Sequence, residues 1–320
     1  MPRWDWTWEE RSSNAPAKEP RSTPAGQGRS PGGPDPAFRR RRAVAIITLA
    51  LVVVVLVAAF SLLAPEGNSR KPARSPRVVH TVTAAQRDAA RARAEENAID
   101  HVLSYTPAVT SGGSHGDEVA LTFDDGPGPY TRQLVGVLNS LHVKATFFAI
   151  GKEEQYFSSG TLEELRSGDV VGDHTETHPM MALLSRHEQY EELLEQIDRI
   201  ELLGGPRPRL FRPPYGSFNA TTFKQLHHLH LLMILWSTDT ADYTLPGAQA
   251  IVERALAGVH PGSIILMHDA GGDRSETIAA LPAIVKGLRE RGLHPVTIPR
   301  LLLDDPPSPN QPIPTSLVGG

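Results

Sequence analysis

Residues 119–129 read VALTFDDGPGP, an apolar, strand-forming run that breaks, after two adjacent carboxylates, into a glycine and proline turn. This composition predicts a strand over 119–123 with Asp124 and Asp125 at its C-terminal end. One Asp at a strand end is ordinary turn chemistry, because its carboxylate accepts from the backbone just ahead of it. Two side by side repel, so either water bathes both or a positive group stands between them.

The texture of this stretch persists from about residue 117 to 303. Short apolar runs at 119–123, 144–150, 170–172, 210–211, 231–236, 263–267 and 294–298 read as strands. Helical patterns fill the gaps at 131–141, 161–168, 186–203, 221–230, 248–258 and 278–292. The alternation predicts an α/β fold, a largely parallel sheet closed or nearly closed by helices as a distorted (β/α) barrel.

In such a barrel, reactive groups collect at the C-terminal strand ends. Asp124 and Asp125 follow the first strand, and His174 and His178, in GDHTETHP, follow the third. Arg212, in FRPPYG, follows the fourth; Asp239 and Asp242, in WSTDTADY, follow the next; His268 and Asp269 follow IILM at 264–267. Five strand ends thus carry residues that bind metals or move protons.

Histidines four apart face the same way on a helical turn, and with one carboxylate they offer a cation three ligands while leaving positions open for water and substrate. HxxxH alone is a weak signal in a chain with 13 His, and the cluster His227, His228 and His230 is read as surface histidines without a role. The other residues have bland readings when taken singly. Asp124 could be a turn residue, Arg212 a surface cation, Tyr215 a packing aromatic and Asp242 a cap.

Outside 117–303 the chain is different in kind. Residues 1–42, rich in Pro, Gly, Ser and Arg, read as a disordered tail. Residues 43–64, AVAIITLALVVVVLVAAFSLLA, hold no charge, Gly or Pro. As a helix they would reach ~33 Å, enough for a hydrocarbon layer of ~30 Å. A signal peptide is the competing reading, but its apolar core usually runs only ~7–15 residues. Arg39 to Arg42 precede the run, and the first basic residue beyond it is Arg70, which orients the N-terminus to the cytoplasm and the rest outside. Residues 65–116 read as a linker followed by a stalk helix over 84–103, whose apolar face is thin. Residues 304–320, Pro-rich from Pro306, read as a disordered tail.

Positions 1–77 carry 13 basic and 6 acidic residues; positions 78–320, which lie within the part expected outside, carry 19 and 30, a net charge of −11. No basic stripe suggests nucleic acid, and no protein partner is indicated. With no Cys, disulfides, thiolate zinc sites and thiol nucleophiles are excluded.

The segments TFDDG at 122–126, HTETH at 174–178, RPPYG at 212–216, DTADY at 239–243 and LMHD at 266–269 resemble, in order, the five motifs of the polysaccharide deacetylases. This is the NodB-homology family, also called carbohydrate esterase family 4. The resemblance implies that Asp125, His174 and His178 bind a divalent metal, commonly Zn²⁺, with other divalent ions also serving. It implies that Asp124 is the general base, oriented by Arg212, and that the Tyr215 N–H helps stabilise the oxyanion. It further implies that Asp242 tethers His268, the general acid, while Trp236 and Leu266 wall the acetyl pocket. Glu176, the middle residue of HxxxH, receives no role.

The implied activity is hydrolysis of N-acetyl groups from cell-wall glycan. Asp at position 125, where some relatives acting on N-acetylmuramic acid have Asn, favours N-acetylglucosamine of peptidoglycan. Tyr243 stands where many relatives carry Trp. The alternatives are a chitooligosaccharide deacetylase, a xylan O-acetyl esterase, and an inactive glycan-binding domain.

Overall fold

The computed structural model describes residues 83–312 and Thr315. The expected membrane span at 43–64, the tail before it and the linker up to residue 82 lie outside these residues. Among the described residues no helix is long and apolar enough to cross a membrane.

The chain runs α1 (Ala84–Leu103), β1 (Ala108–Val109), β2 (Glu118–Asp124), α2 (Thr131–Ser140), β3 (Thr146–Ala149), α3 (Gly151–Ser167) and β4 (Val170–Asp173). It continues α4 (Arg186–Leu202), β5 (Leu210–Phe211), α5 (Ala220–Leu229), β6 (Leu232–Ile234), β7 (Thr238–Asp239), α6 (Ala248–Leu256) and β8 (Ile264–His268). It closes with α7 (Ser275–Glu290), β9 (His294–Val296) and α8 (Ile298–Asp304). Every strand pairing is parallel, in the order β1-β6-β5-β4-β3-β2-β8-β7, with β9 also paired to β2. Among the described strands β1 and β7 end this path without pairing to each other, so the sheet is a curled half-barrel rather than a closed barrel.

Strand β2 shows how sequence alternation builds the site. Val119, Leu121 and Phe123 pack outward with Leu134, Leu138, Ile251 and Leu281 of the surrounding helices. Alternate residues face the other way: Ala120 joins an inner core with Phe148, Leu232 and Ile264, and Thr122 and Asp124 meet Arg212. Arg212 is fully buried, and its guanidinium also donates to the carbonyls of Ile234 and Leu235 and lies 4.3 Å over the Phe148 ring.

Helix α4 begins where its sequence says it should, because Ser185 and Glu188 form a capping box. Helix α3 starts ten residues earlier than the predicted 161. The polar GKEEQYFSSG is helical too, joined to the rest across a kink at Phe157. The segment predicted as strand to 298 instead turns at Thr297 into α8, with Pro299 in its first turn, where proline's missing N–H costs nothing.

The expected stalk has the predicted span, but its last turns are not free. Ala98, Ile99 and Val102 are buried in the inner core against Ile298, Leu301 and Leu302 of α8. The C-terminal segment is tied down as well. Asp305 accepts from the backbone N–H groups of His115 and Gly116, Tyr105 donates to the Pro307 carbonyl, and Gln311 bonds Thr110 and Ser111. Helix and tail therefore share one core with the sheet that the sequence placed between them.

Candidate active site

The predicted residues converge at the C-terminal ends of the strands, around a cavity of about 550 Å³. Its lining includes Asp124, Asp125, His174, His178, Tyr215, Trp236, Leu266 and His268.

Adjacent side chains on a regular strand point to opposite faces, so Asp124 and Asp125 reach one site only because the backbone turns between them. Asp125 has φ 71°, a left-handed conformation that Asp tolerates better than most residues. Asp124 Oδ1 accepts from Arg212 Nη1 at 2.7 Å, while Oδ2 lies 3.8 Å from His174 Nε2. The Arg212 guanidinium is the positive group that the paired carboxylates required.

Asp125 Oδ1 lies 3.5 Å from His174 Nε2 and 3.1 Å from His178 Nε2. One ligand atom from each of the three residues falls within 4.8 Å of the others. Donors about 3 to 3.5 Å apart are what ligands with bonds of ~2.1 Å present to one cation. His174 Nδ1 is 2.7 Å from the Arg212 carbonyl. A carbonyl can only accept, so this nitrogen carries the proton and Nε2 keeps its lone pair for coordination. The donor set therefore fits a divalent metal.

The histidine pair does not lie on a helical turn, as its spacing suggested. Residues 174–178 form a loop after β4 in which Thr175 (φ 70°) and His178 (φ 63°) are left-handed. Those two residues turn the chain so that both imidazoles face Asp125.

On the opposite wall, His268 Nδ1 sits 2.7 Å from Asp242 Oδ1, and the His268 N–H donates to Asp242 Oδ2. Thr277 donates to the same oxygen. Burial opposes a charge on His268, but the hydrogen bond to Asp242 and the attraction of Asp242, Asp125 and Asp124 push its pKa up to about 9. Asp242 is buried too, yet the bonds from His268 and Thr277 keep its pKa below the ordinary value. Tyr243 packs edge-on to His268 at 5.4 Å.

Tyr215 is left-handed (φ 58°) and half-exposed, and its hydroxyl lies 3.2 Å from His178 Nδ1, a side-chain contact absent from the sequence reading. Also unforeseen was Thr122, which accepts from Arg212 and donates to the Ile265 carbonyl. Its signal was available, because it precedes Asp124 by two and so shares its face. Arg274 and Gly271 line the cavity as well. Arg274 clamps the turn through the Ala270, Gly271 and Asp273 carbonyls, and a methyl group on Gly271 would sit 2.6 Å from Asp125 Oδ2. Asp239 is exposed on the rim, whereas Asp269 is buried behind the site and accepts from Thr131.

A family profile described as polysaccharide deacetylase matches residues 111–234. A peptidoglycan-N-acetylglucosamine deacetylase of Bacillus cereus is 36% identical over 187 residues, 58% of this chain and 87% of that protein. A chitooligosaccharide deacetylase of Sinorhizobium fredii is 34% identical over 211 residues, 62% of this chain and 98% of that protein. The crystal structure of a peptidoglycan N-acetylglucosamine deacetylase in complex with 4-naphthalen-1-yl-N-oxidanyl-benzamide superposes with TM-score 0.60 at 32% identity, covering 61% of this chain and 92% of that one.

Proposed function

The chain belongs to the polysaccharide deacetylase family, and from that premise we propose that it hydrolyses the N-acetyl groups of peptidoglycan N-acetylglucosamine. The observation that carries this reading is the convergence of three units on one cavity: the Asp124–Arg212 pair, the Asp125–His174–His178 trio and the His268–Asp242 pair.

Asp125, His174 and His178 would hold the metal. When bound, a divalent ion supplies Lewis acidity that polarises a carbonyl and makes a water more acidic. Arg212 donates to Oδ1 of Asp124, so Oδ2 is the oxygen left to take the proton from the attacking water. His268, charged and fixed through Nδ1 by Asp242, presents Nε2 to the amide nitrogen and protonates it as the C–N bond breaks. A C–O bond replaces the C–N bond, and acetate and a free amine leave. Trp236 and Leu266 border the same cavity and would enclose the acetyl methyl, with the Tyr215 N–H directed to the oxyanion.

The deciding experiment is acetate release from defined peptidoglycan, chitooligosaccharide and acetylated xylan substrates, with and without chelator. Chelator-sensitive release that is greatest from peptidoglycan is expected. Release that survives complete metal removal, or a preference for xylan esters, would overturn the reading. We also propose that residues 43–64 anchor the chain with this domain on the outer side, for which the supporting observations are the uncharged 22-residue run and the four arginines before it. Recovery of the full chain in the soluble fraction without proteolysis would refute the anchor.

A further inference from the structure

The loop that presents His174 and His178 contains two non-glycine residues in left-handed backbone, a conformation that persists only where the surroundings impose it. What imposes it is visible at its middle residue. Glu176 is 6% exposed and points away from the cavity, into a bidentate pair with Arg199 of α4: Nε to Oε2 and Nη2 to Oε1, both at 2.6 Å. Its backbone is held on both sides. The N–H donates to the Glu192 carbonyl, and its own carbonyl accepts from Lys152 N, one of the first N–H groups of α3 that have no partner within the helix. Gly151, the residue before Lys152, has been left without a side chain where one would collide. A methyl there would lie 2.0 Å from Glu176 Oε2 and 2.9 Å from Arg199 Cδ.

We infer that Glu176 and Arg199 form a positioning pair that holds the two histidines at metal-binding geometry. The inference rests on the metal reading of the Asp125–His174–His178 site and extends it to residues that touch neither metal nor substrate. A planar guanidinium engaging both carboxylate oxygens fixes direction as well as distance, and the carboxylate it fixes lies two residues from each histidine. The pair thus sets the orientation of the loop relative to α4, and with it the approach of both Nε2 atoms to Asp125.

The test is calorimetric titration of metal-stripped full-length chain with Zn²⁺, comparing wild type with Glu176→Gln, Arg199→Met, the double variant and Gly151→Ala. Metal-free melting curves and near-ultraviolet circular dichroism establish folding. Each single change is expected to weaken zinc binding about tenfold or more, the range for supporting partners of metal ligands. The double variant should be no weaker than the worse single one, because the two residues act as a unit. Gly151→Ala alters neither charge and should weaken zinc by displacing the carboxylate. A merely structural role would lower the melting temperature and leave the zinc affinity of the folded protein unchanged. Wild-type affinity in folded Glu176→Gln, Arg199→Met or Gly151→Ala overturns the inference, as does simple addition of the two single effects. Failure of wild type to bind zinc overturns the metal reading itself, and this inference with it.

Discussion

Replacing Asp242 with Asn tests the proposed acid most directly, because it keeps shape and removes charge. In the native site three donors converge on the two Asp242 oxygens: His268 Nδ1–H, the His268 backbone N–H and the Thr277 hydroxyl. An Asn offers one acceptor oxygen and an NH₂, so at least one donor meets another donor. The pKa of about 9 on His268 falls, because burial, which opposes its charge, is then no longer outweighed by Asp242. Even at an unperturbed value of ~6.5, only about a tenth of His268 would be protonated at pH 7.5, against nearly all at a pKa of about 9. Lost alignment adds to this factor, and positioned acids contribute about 10²- to 10⁴-fold. We therefore expect kcat/KM at pH 7.5 to fall at least about 100-fold.

The assay is acetate release across about pH 5 to 10, where the acid limb and the alkaline limb separate. Wild type should lose activity on an alkaline limb no higher than about pH 9, since a dication at Asp125 offsets part of the attraction on His268. In the variant that limb should move below about 6.5. Stability carries the same sign. A histidine raised above its unfolded value contributes about 3 kcal/mol below pH ~6.5, lost as pH rises through about 9. An unmoved alkaline limb, or a loss of activity equal at every pH, would refute the assignment of His268 as the acid.

Arg212→Met should destabilise the fold by about 3–5 kcal/mol, because it strands the buried Asp124 carboxylate. Arg212→Lys should not rescue activity, since an ammonium cannot span Asp124, Thr122 and two carbonyls at once; near-native melting of the Met variant would contradict this. A chain beginning at Ser104 loses the burial of Ile99 and Val102, at ~1.5–3 kcal/mol each. Its urea midpoint should fall accordingly, and an unchanged midpoint would show that α1 is only a spacer. Glu164 is fully buried with neither oxygen hydrogen-bonded, and burial, together with the nearby Asp269, pushes its pKa well above normal. A raised acid favours the folded state only while protonated, so stability should decline as pH rises above the unfolded value of ~4.3. Glu164→Gln should flatten that decline and raise the melting temperature at pH 8, with little change at low pH; an equal shift at both would refute it.

The sequence exposed those parts of the fold and site that local chemistry dictates. Alternation around VALTFDDG gave β2, and charged residues at successive strand ends gave the set that now lines the cavity. The curl of the sheet stayed hidden, because it depends on which strands lack partners. The stalk reading failed to foresee packing because the thin apolar face of α1 is sufficient once α8 supplies the other side, a partner nearly 200 residues away. Asp125, Thr175, His178 and Tyr215 are left-handed without being glycine, and no propensity announces that. Glu176 looked free for a related reason: its partner Arg199 lies 23 positions on, on a different element.

The seam between the first helix and the C-terminal segment has a bearing on how this protein is made. Ile99 and Val102 wait for Leu301 and Leu302, Tyr105 for Pro307, and Thr110 for Gln311. Each of these contacts joins residues about 200 apart, so this seam cannot close before residues 301–311 have been made. Until then the apolar face of α1 lacks the α8 side of its packing. Helix α8 is therefore the latch that completes the packing of α1.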